Sequence, residues 1–336
     1  MTKTMTLTAL LLATAAPAFA EGELNLYSSR HYDTDERLYS DFEDATGITI
    51  NRIEGNADEL ITRMEAEGAN SPADILLTVD TSRLERAKDA GVLQAVDSDV
   101  LEGSIPPNLQ DSDNQWFGFS QRARVIFYDK ANVANPPQTY LDLADPAYAG
   151  LVCIRSSTNT YNQTLLASII ENHGEEAARM WAQGVVDNMA RDPQGGDTDQ
   201  LRGIVSGECD ISVSNTYYFA RAIRKDVDGL SDSIDMVGLQ WPSQGAEGAH
   251  MNLSGGGVAA HAPNRENAIA FLEYLASDQA QQYFSAGNDE FPAVPSVELS
   301  EEVASLGEFQ ADDVDLSAVA KQLPLALTIF NDVGWE

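Results

Sequence analysis

The sequence predicts an α/β protein of two lobes, and three observations lead to this fold class. Short strand-like runs alternate with amphipathic helical runs in two separate series along the chain. Extended stretches with little helical signal lie between the two series and after the second one. Removing a leader of 20 residues from the 336 leaves 316, which is more than the roughly 250–300 residues that one hydrophobic core usually serves.

The leader has the pattern of a secretory signal peptide. Lys3 provides a positive start, "LTALLLATAA" an apolar middle, and Ala18 to Ala20 a small-residue cleavage site. We expect cleavage after Ala20 and export, which in a bacterium means the periplasm. No other apolar run reaches the roughly 18 residues of a membrane span, and no cysteine follows the cleavage site to carry a lipid, so we expect a soluble exported chain.

The first series contains three strand–helix pairs. Its strand-like runs are "LNLYS", "ITINRIEG" and "ADILLTVD", and its helical runs are "DERLYSDFEDATG", "ADELITRMEAEG" and "TSRLERAKDAGVL". Alternation of this kind is typical of a parallel sheet with helices on both faces.

The second series starts at "LVCIRSS", continues through helices at about 160–172 and 174–190, and reaches "CDISVSN" and the helix after it. The extended stretches are "WFGFSQRARVIFYDK" and "GAHMNLSGGGVAAHAP", and a long helix is predicted over 265–286. The "LSGGGV" run is expected to allow close backbone packing near a hinge. We assign 21–121 plus 248–298 to an N-lobe and 122–247 plus 299–336 to a C-lobe.

Charge and cysteine content restrict the partners and the compartment. The formal net charge of −33 would repel nucleic acid and anionic membranes, so neither is expected; solubility or salt adaptation is the simplest reason for it. Cys153 and Cys209 are expected to form a disulfide in an oxidising compartment, with a reactive thiol or a metal thiolate as the weaker alternative.

Four tyrosines recur where predicted strands meet helices. Tyr32 follows "LNLYSSRH", Tyr161 follows "LVCIRSSTNT", and the pair Tyr217 and Tyr218 follows "CDISVSNT". Each time a Ser/Thr/Asn cluster offers an N-cap, and the tyrosine is expected at the cap or in the first helical turn. Because ligands of open α/β sheets bind at this edge, we expect the four phenols to face one ligand.

The chemistry of four phenols indicates a hard, highly charged cation. A phenol with a pKa near ~10 is normally neutral, but a helix N-terminus and a nearby cation favour its anion. Hard ions take oxygen ligands, and the imidazole of His31 also suits iron. The pattern therefore favours ferric iron over magnesium or calcium, which prefer carboxylates and water. Cuprous copper would have no cysteine or methionine in these loops.

At these residues the chain resembles the periplasmic ferric-iron-binding proteins of bacterial ABC importers, the transferrin-like class of solute receptors. The resemblance covers essentially the whole mature chain, and its most specific motifs are "SSRHY" and "SNTYYFAR". It implies a two-lobe periplasmic binding protein of the class II type, with hinge strands and an interlobe cleft that closes on one ferric ion. It also implies a monomer that delivers the ion to a membrane permease powered by an ATPase.

The resemblance also assigns roles to individual residues. Tyr32, Tyr161, Tyr217 and Tyr218 match the phenolate ligands of that class, and His31 matches a position that is a ligand in some members only. With four tyrosines, no obligatory synergistic anion is expected. Ferrous iron remains an alternative cargo, because a shell that includes an imidazole tolerates it.

Two arginines are candidates to neutralise the site, since Fe(III) with four phenolates carries a formal −1 and a buried charge needs a partner. Arg221 lies three residues beyond Tyr218 on the same helical face. Arg122 and Arg124 alternate along a strand, so we expect only one of them to face the cleft, and the resemblance favours Arg122. The alternative for Arg122 and Arg221 is an ordinary surface salt bridge.

Two rival functions remain at this point. One is a receptor of the same fold for an organic cation such as a polyamine or thiamine, although such clefts need carboxylates and aromatic walls. The other is a periplasmic enzyme, which no Ser-His-Asp order, zinc motif or close carboxylate pair supports. In "GGDTDQL", Asp197 or Thr198 is expected to be a helix N-cap and not part of a nucleotide loop.

Overall fold

The computed structural model describes residues 22–30, 32 and 34–336. The predicted leader, its cleavage site and His31 lie outside the described residues. Within them, the strands are β1 (Gly22–Ser28), β2 (Ile48–Glu54), β3 (Ile75–Thr78), β4 (Phe117–Asp129), β5 (Val152–Cys153), β6 (Ile211–Asn215), β7 (Val237–Gln240), β8 (Met251–Val258) and β9 (Phe291–Pro292).

The helices within the same residues are α1 (Asp35–Thr46), α2 (Ala57–Glu67), α3 (Thr81–Asp89), α4 (Asp99–Ser104), α5 (Thr160–Asp187), α6 (Asp197–Ser206), α7 (Thr216–Arg224), α8 (Arg265–Leu275), α9 (Asp278–Asn288), α10 (Glu301–Ala304), α11 (Leu316–Lys321) and α12 (Leu323–Asp332). Both predicted series of alternating strands and helices are therefore present. None of these helices is long and apolar enough to cross a membrane.

The strands join into one mixed sheet of order β2-β1-β3-β8-β4-β6-β5. β1 is parallel to both β2 and β3, and β5 is parallel to β6, as the alternating pattern predicts. β4 connects the two parallel groups, because its first part pairs antiparallel with β8 and its last part with β6. The extended stretch between the two series is thus a single strand shared by both parts of the sheet.

One helix prediction is confirmed in detail and another differs from the structure. The predicted break between 160–172 and 174–190 is confirmed, because α5 consists of two helical segments that meet at Gly174, whose φ of 83° and ψ of 167° are not helical. The long helix predicted over 265–286 is two helices, α8 and α9. It breaks because the Ser277 hydroxyl accepts a hydrogen bond from the Ala280 N–H and so caps a new helix.

Buried apolar side chains form three clusters that divide the molecule into two halves. The first cluster holds the side chains of β1 to β3, α1 to α3, α8 and α9, and we call these elements the first half. The other two clusters hold those of α5 to α7, β5, β6 and α12, which we call the second half. The lobe ranges predicted from the sequence stay a prediction.

A disulfide and close packing at a run of glycines constrain the fold. The predicted disulfide is confirmed, since Cys153 and Cys209 are bonded with Cα atoms 5.8 Å apart. The predicted close packing of the glycine run is also confirmed: a Cβ on Gly256 would stand 2.4 Å from the Leu77 side chain, and one on Gly257 2.2 Å from the Gln115 carbonyl oxygen. Side chains at these two positions of β8 would therefore collide with β3 and with the segment that precedes β4.

Candidate metal centre

The tyrosines at the second half sit in the first turns of two helices. Tyr161 is the second residue of α5, and its N–H donates to the side-chain oxygen of the N-cap Asn159. Tyr217 and Tyr218 are the second and third residues of α7, directly after β6. Asn159 caps α5 through its side chain, whereas the N-cap of α7, Asn215, is the last residue of β6 and makes no side-chain cap hydrogen bond.

Tyr32 differs from its expected position. The N-cap of α1 is Thr34, so Tyr32 lies two residues before the cap and outside the first helical turn. A turn closes this segment, in which the Asp35 N–H donates to the Tyr32 carbonyl oxygen at 2.9 Å. Arg30 fixes the same turn from the other side through a bidentate pair with the Asp35 carboxylate at 2.8 and 2.9 Å.

The structure brings the four predicted tyrosines together. The hydroxyl oxygens of Tyr161 and Tyr217 are 3.3 Å apart. The rings of Tyr217 and Tyr218 are 4.2 Å apart between centroids, and Tyr32 approaches Tyr217 edge-on at 6.5 Å. Four phenols from three separate chain segments therefore line one small volume where the first half meets the second.

Burial keeps the phenols of Tyr32, Tyr217 and Tyr218 protonated in the absence of a cation. Burial first, and then the neighbouring phenols, raise the pKa of Tyr217 well above its usual value. Burial also raises the pKa of Tyr32 well above 10, with Tyr161 and Glu290 adding to the effect, and raises the pKa of Tyr218. Desolvation thus outweighs the helix N-terminus at Tyr217 and Tyr218, so the phenolates of these residues and of Tyr32 form only when a cation enters.

Five arginines surround the tyrosine rings. The guanidinium carbon of Arg30 is 4.9 Å from the centroid of the Tyr32 ring, and that of Arg221 is 5.4 Å from Tyr217. The Tyr161 ring has three such neighbours, Arg122 at 5.5 Å, Arg155 at 5.7 Å and Arg124 at 5.9 Å. Each lies within cation–π distance, and each would be close to a phenolate.

The expectation that only one of Arg122 and Arg124 faces the cleft is wrong. Both are buried and both approach Tyr161, because residues two apart on a strand point to the same face. Arg124 is held by the side chains of Asn162 and Asp197. Arg122 donates one N–H to Ser254 at 2.9 Å, while its Nε and Nη2 have no hydrogen bond within the described residues.

Arg221 lies beside the tyrosines, but it also has a protein partner. Its Nε is 3.4 Å from Asp289, and its Nη2 donates to the Asn288 carbonyl oxygen at 3.3 Å. Asp289 is shared with Arg224, whose Nε is 2.6 Å away. These contacts connect α7 in the second half to the end of α9 in the first half.

Four buried carboxylates balance most of the positive charge. Asp35 lies 2.8 Å from Arg30, and Glu290 lies 3.7 Å from the same side chain. Asp197 lies 3.2 Å from Arg124 and 3.6 Å from Arg155. Asp289 accepts a hydrogen bond from Arg221. Five guanidinium groups against four carboxylates leave one excess positive charge, or two when Arg224 is included. The cluster is therefore suited to a bound group of formal charge −1 or −2.

Asp197 corrects another sequence expectation. The N-cap of α6 is Gly196, whose N–H donates to the Asp199 carboxylate at 2.7 Å. Neither Asp197 nor Thr198 is the cap. Asp197, fully buried in the first turn, faces Arg124 and Arg155 instead, because a buried carboxylate next to two guanidinium groups is best satisfied by pairing with them.

The sequence interpretation missed several of these charged residues. Arg30 and Arg155 had a usable signal, since each follows a strand and precedes the segment that carries a tyrosine, in "SSRHY" and "CIRSS". Asp289 and Glu290 had none, because more than 250 residues separate them from the Arg30 region that they approach. The side chains of His, Cys, Asp and Glu form no group of three that could hold a metal among the described residues.

A cavity of about 750 Å³ opens next to Arg30 and Arg155, two of the arginines that contact the tyrosine rings. It is lined by strand ends and helix starts of both halves, including Arg30 and Arg83 from the first and Arg155 and Thr160 from the second. Arg30 and Arg155 thus border the cavity and also contact the rings of Tyr32 and Tyr161.

Comparison with known proteins adds independent information. A family model described as bacterial extracellular solute-binding protein matches residues 70–310. Iron uptake protein A1 of Synechocystis is 48% identical, over 94% of this chain and 88% of that protein. A solved structure from Trichodesmium, in complex with iron and citrate ligands, is 47% identical with a TM-score of 0.88, covering 94% of this chain and 100% of that one.

A ferric binding protein from Campylobacter jejuni has the same TM-score, 0.88, at 39% identity, covering 93% of this chain and 100% of that one. These likenesses confirm the predicted two-lobe α/β fold and the resemblance found in the sequence. The similar proteins are named for iron uptake or ferric binding, and none of these names describes an enzyme.

Proposed function

The chain belongs to the bacterial extracellular solute-binding proteins, and on this basis we propose that it is a periplasmic receptor for ferric iron. Tyr32, Tyr161, Tyr217 and Tyr218 bind the ion as phenolates in the cleft between the two halves. The protein acts as a monomer and delivers the ion to an inner-membrane permease and its ATPase. It has no catalytic step of its own.

One observation carries this proposal: four phenols from three chain segments converge, with two hydroxyl oxygens 3.3 Å apart. Buried phenols at this separation repel each other once ionised, so a cation of high charge is needed between them. Ferric iron is a hard ion that takes oxygen ligands, and it has the charge to displace several phenolic protons.

The charge of the surroundings supports ferric cargo and the absence of an obligatory anion. Fe(III) with four phenolates has a formal charge of −1, which the excess positive charge of the arginine cluster neutralises. Fe(II) in the same shell would have −2, which is the upper limit of that excess, whereas an added polycarboxylate such as the citrate present with the Trichodesmium protein would bring further negative charge beyond it. Neutralising the iron–phenolate shell together with a bound polycarboxylate would need more guanidinium groups than this cluster holds.

The distribution of ligands over the two halves supports an order of binding. Tyr161, Tyr217 and Tyr218 begin helices of the second half, so this half presents three of the four phenols by itself. Tyr32 precedes α1 of the first half. Iron binds first to the second half, and closure of the cleft then adds Tyr32, with His31 next to it in sequence as a further candidate ligand.

A titration with ferric nitrilotriacetate tests the proposal. We expect a red to orange colour from phenolate-to-iron charge transfer and one iron per chain by elemental analysis. The double variant Tyr217→Phe and Tyr218→Phe should lose the band, whereas Tyr148→Phe should keep it, since the Tyr148 hydroxyl donates to the Asn135 carbonyl oxygen elsewhere in the second half.

Two results would overturn the proposal. One is a colourless protein without iron after ferric loading. The other is a band that persists unchanged in the double variant, which would place the iron on other ligands. Tight binding of thiamine or spermidine by calorimetry, together with the first result, would instead favour the organic-cation receptor.

A further inference from the structure

We propose that Arg83 is a positioning residue that bonds the first half to the helix carrying Tyr161 and so slows the release of iron. This inference rests on the proposed function and adds a residue that does not contact the metal. It is carried by hydrogen bonds that cross between elements packed in different hydrophobic clusters.

The central contact joins α3 to the start of α5. Arg83 lies on α3, next to Leu84, which is buried in the first cluster. Thr160 is the first residue of α5, whose Leu165 is buried in the second cluster. The Arg83 Nη1 donates to the Thr160 hydroxyl oxygen at 2.5 Å, so the two halves are bonded one residue away from Tyr161.

Arg83 is held in position by carboxylates of its own half. Its Nη2 donates to Asp58 on α2 at 3.2 Å, and its Nη1 lies 3.7 Å from Asp80, the N-cap of α3. The side chain is 20% exposed. Because the guanidinium is oriented before the halves meet, little side-chain entropy is lost when it bonds to Thr160.

A second bridge lies on the other side of the same helical turn. Asn252 on β8 donates to the Asp80 carboxylate at 2.7 Å and to the Thr164 hydroxyl oxygen at 3.2 Å. The Thr164 hydroxyl in turn donates to the Thr160 carbonyl oxygen at 3.0 Å. Both ends of the helical turn that contains Tyr161 are thus connected by hydrogen bonds to the N-terminal part of α3. Thr160 is bonded directly to Arg83, and Thr164 is connected through Asn252 of β8 to Asp80.

The arrangement makes the Arg83 bond dependent on closure. When the cleft opens, α3 and the start of α5 move apart, and the Arg83–Thr160 bond is replaced by water. Arg83 therefore stabilises the closed state over the open one, from which iron dissociates. A hydrogen bond with a charged donor typically has a strength that corresponds to about a tenfold change or more in an equilibrium constant.

The test compares two arginines on one helix. Arg83→Met and Thr160→Val each remove the bond between the halves. Arg86→Met is the matched control, because Arg86 lies one turn further along α3 and also donates to Asp58, at 2.5 Å, but its other partner, Thr62, is in the first half. Each protein is loaded with ferric iron, and release to an excess chelator is followed by loss of the charge-transfer band.

We expect release about tenfold faster in Arg83→Met and in Thr160→Val than in Arg86→Met, with an unchanged band shape because all four phenolates remain. The effects in the double variant should be less than additive, since both changes break one bond. Equal rates for Arg83→Met and Arg86→Met, or fully additive effects, would overturn the inference.

Failure of the proposed function gives a separate result. If the wild-type protein shows no ferric band at all, the iron assignment fails, and small-angle scattering of the same variants tests the bond between the halves. A larger radius of gyration in Arg83→Met and Thr160→Val than in Arg86→Met supports the bond, and equal radii overturn it.

Discussion

Lowering the pH should weaken ferric binding by about one power of ten per pH unit for each phenolate ligand. Burial raises the pKa of Tyr32, Tyr217 and Tyr218 above the usual value near 10, so these phenols still carry their protons at pH 6 to 8. Iron must displace the protons, and raising the pH therefore favours the complex while lowering it favours the protonated, metal-free site.

The magnitude follows from the number of phenols. Four phenolates release four protons, which corresponds to a 10⁴-fold change in affinity per pH unit, or about 5 kcal/mol. Removing one phenol should reduce the release to three protons. The same four protons explain how a modest acidification alone could empty the site.

Isothermal titration calorimetry counts the protons directly. Ferric nitrilotriacetate is titrated into the protein at pH 7 in two buffers of different ionisation enthalpy, and the known proton uptake of the chelator is subtracted. We expect four protons for the wild type and three for Tyr32→Phe. A release of one proton or none, or the same number in both proteins, would refute the assignment of a four-phenolate shell.

Three further predictions concern the structure around the site. Replacing Cys153 and Cys209 by Ala should lower the free energy of unfolding by about 4 kcal/mol, from the loop entropy of a sequence separation of 56, measured by denaturant unfolding. Arg122→Met should weaken ferric affinity by about 100-fold, because a charge 5.5 Å from the Tyr161 ring contributes about 3 kcal/mol at an effective dielectric of 20. Gly256→Ala should cost about 1–3 kcal/mol in stability, since its Cβ would meet the Leu77 side chain and the Leu76 carbonyl oxygen.

Matched control variants distinguish these specific effects from a general loss of ferric affinity or stability. Arg179→Met removes a positive charge that pairs with Glu175 and Asp332 on the surface, and it should leave ferric affinity unchanged. Gly103→Ala adds a Cβ that meets no atom within 4 Å, so it should not destabilise the protein. An Arg122 variant with normal affinity, an alanine at Gly256 without cost, or a cysteine variant of normal stability would each contradict the corresponding argument.

Features that depend on neighbouring residues could be predicted well. The strand endings and helix starts around Tyr161, Tyr217 and Tyr218 follow from short apolar runs and the polar residues after them. The break between α8 and α9 was missed because Ser277 lies within an otherwise helical pattern. The prediction that Arg122 and Arg124 point to opposite faces of their strand was wrong, although the two-residue period of a strand already places them on the same face.

Partners distant in sequence could not be predicted in the same way. The approach of Glu290 to Arg30 and the pairing of Asp289 with Arg221 depend on how α9 packs against the start of α1 and against α7. No local pattern specifies which of many acidic residues becomes buried. The Arg83–Thr160 bond likewise exists only because α3 and α5 meet across the cleft.

The sequence alone determined the α/β alternation, the cysteine pair and the four tyrosines at strand ends, because each depends on residue type and on periodicity over a few positions. Only the tertiary structure decided that the four phenols meet and that five arginines and four carboxylates surround them. It also decided that burial keeps the phenols of Tyr32, Tyr217 and Tyr218 protonated until a cation enters. Distance and desolvation set these properties, and both arise only when segments far apart in the chain pack together.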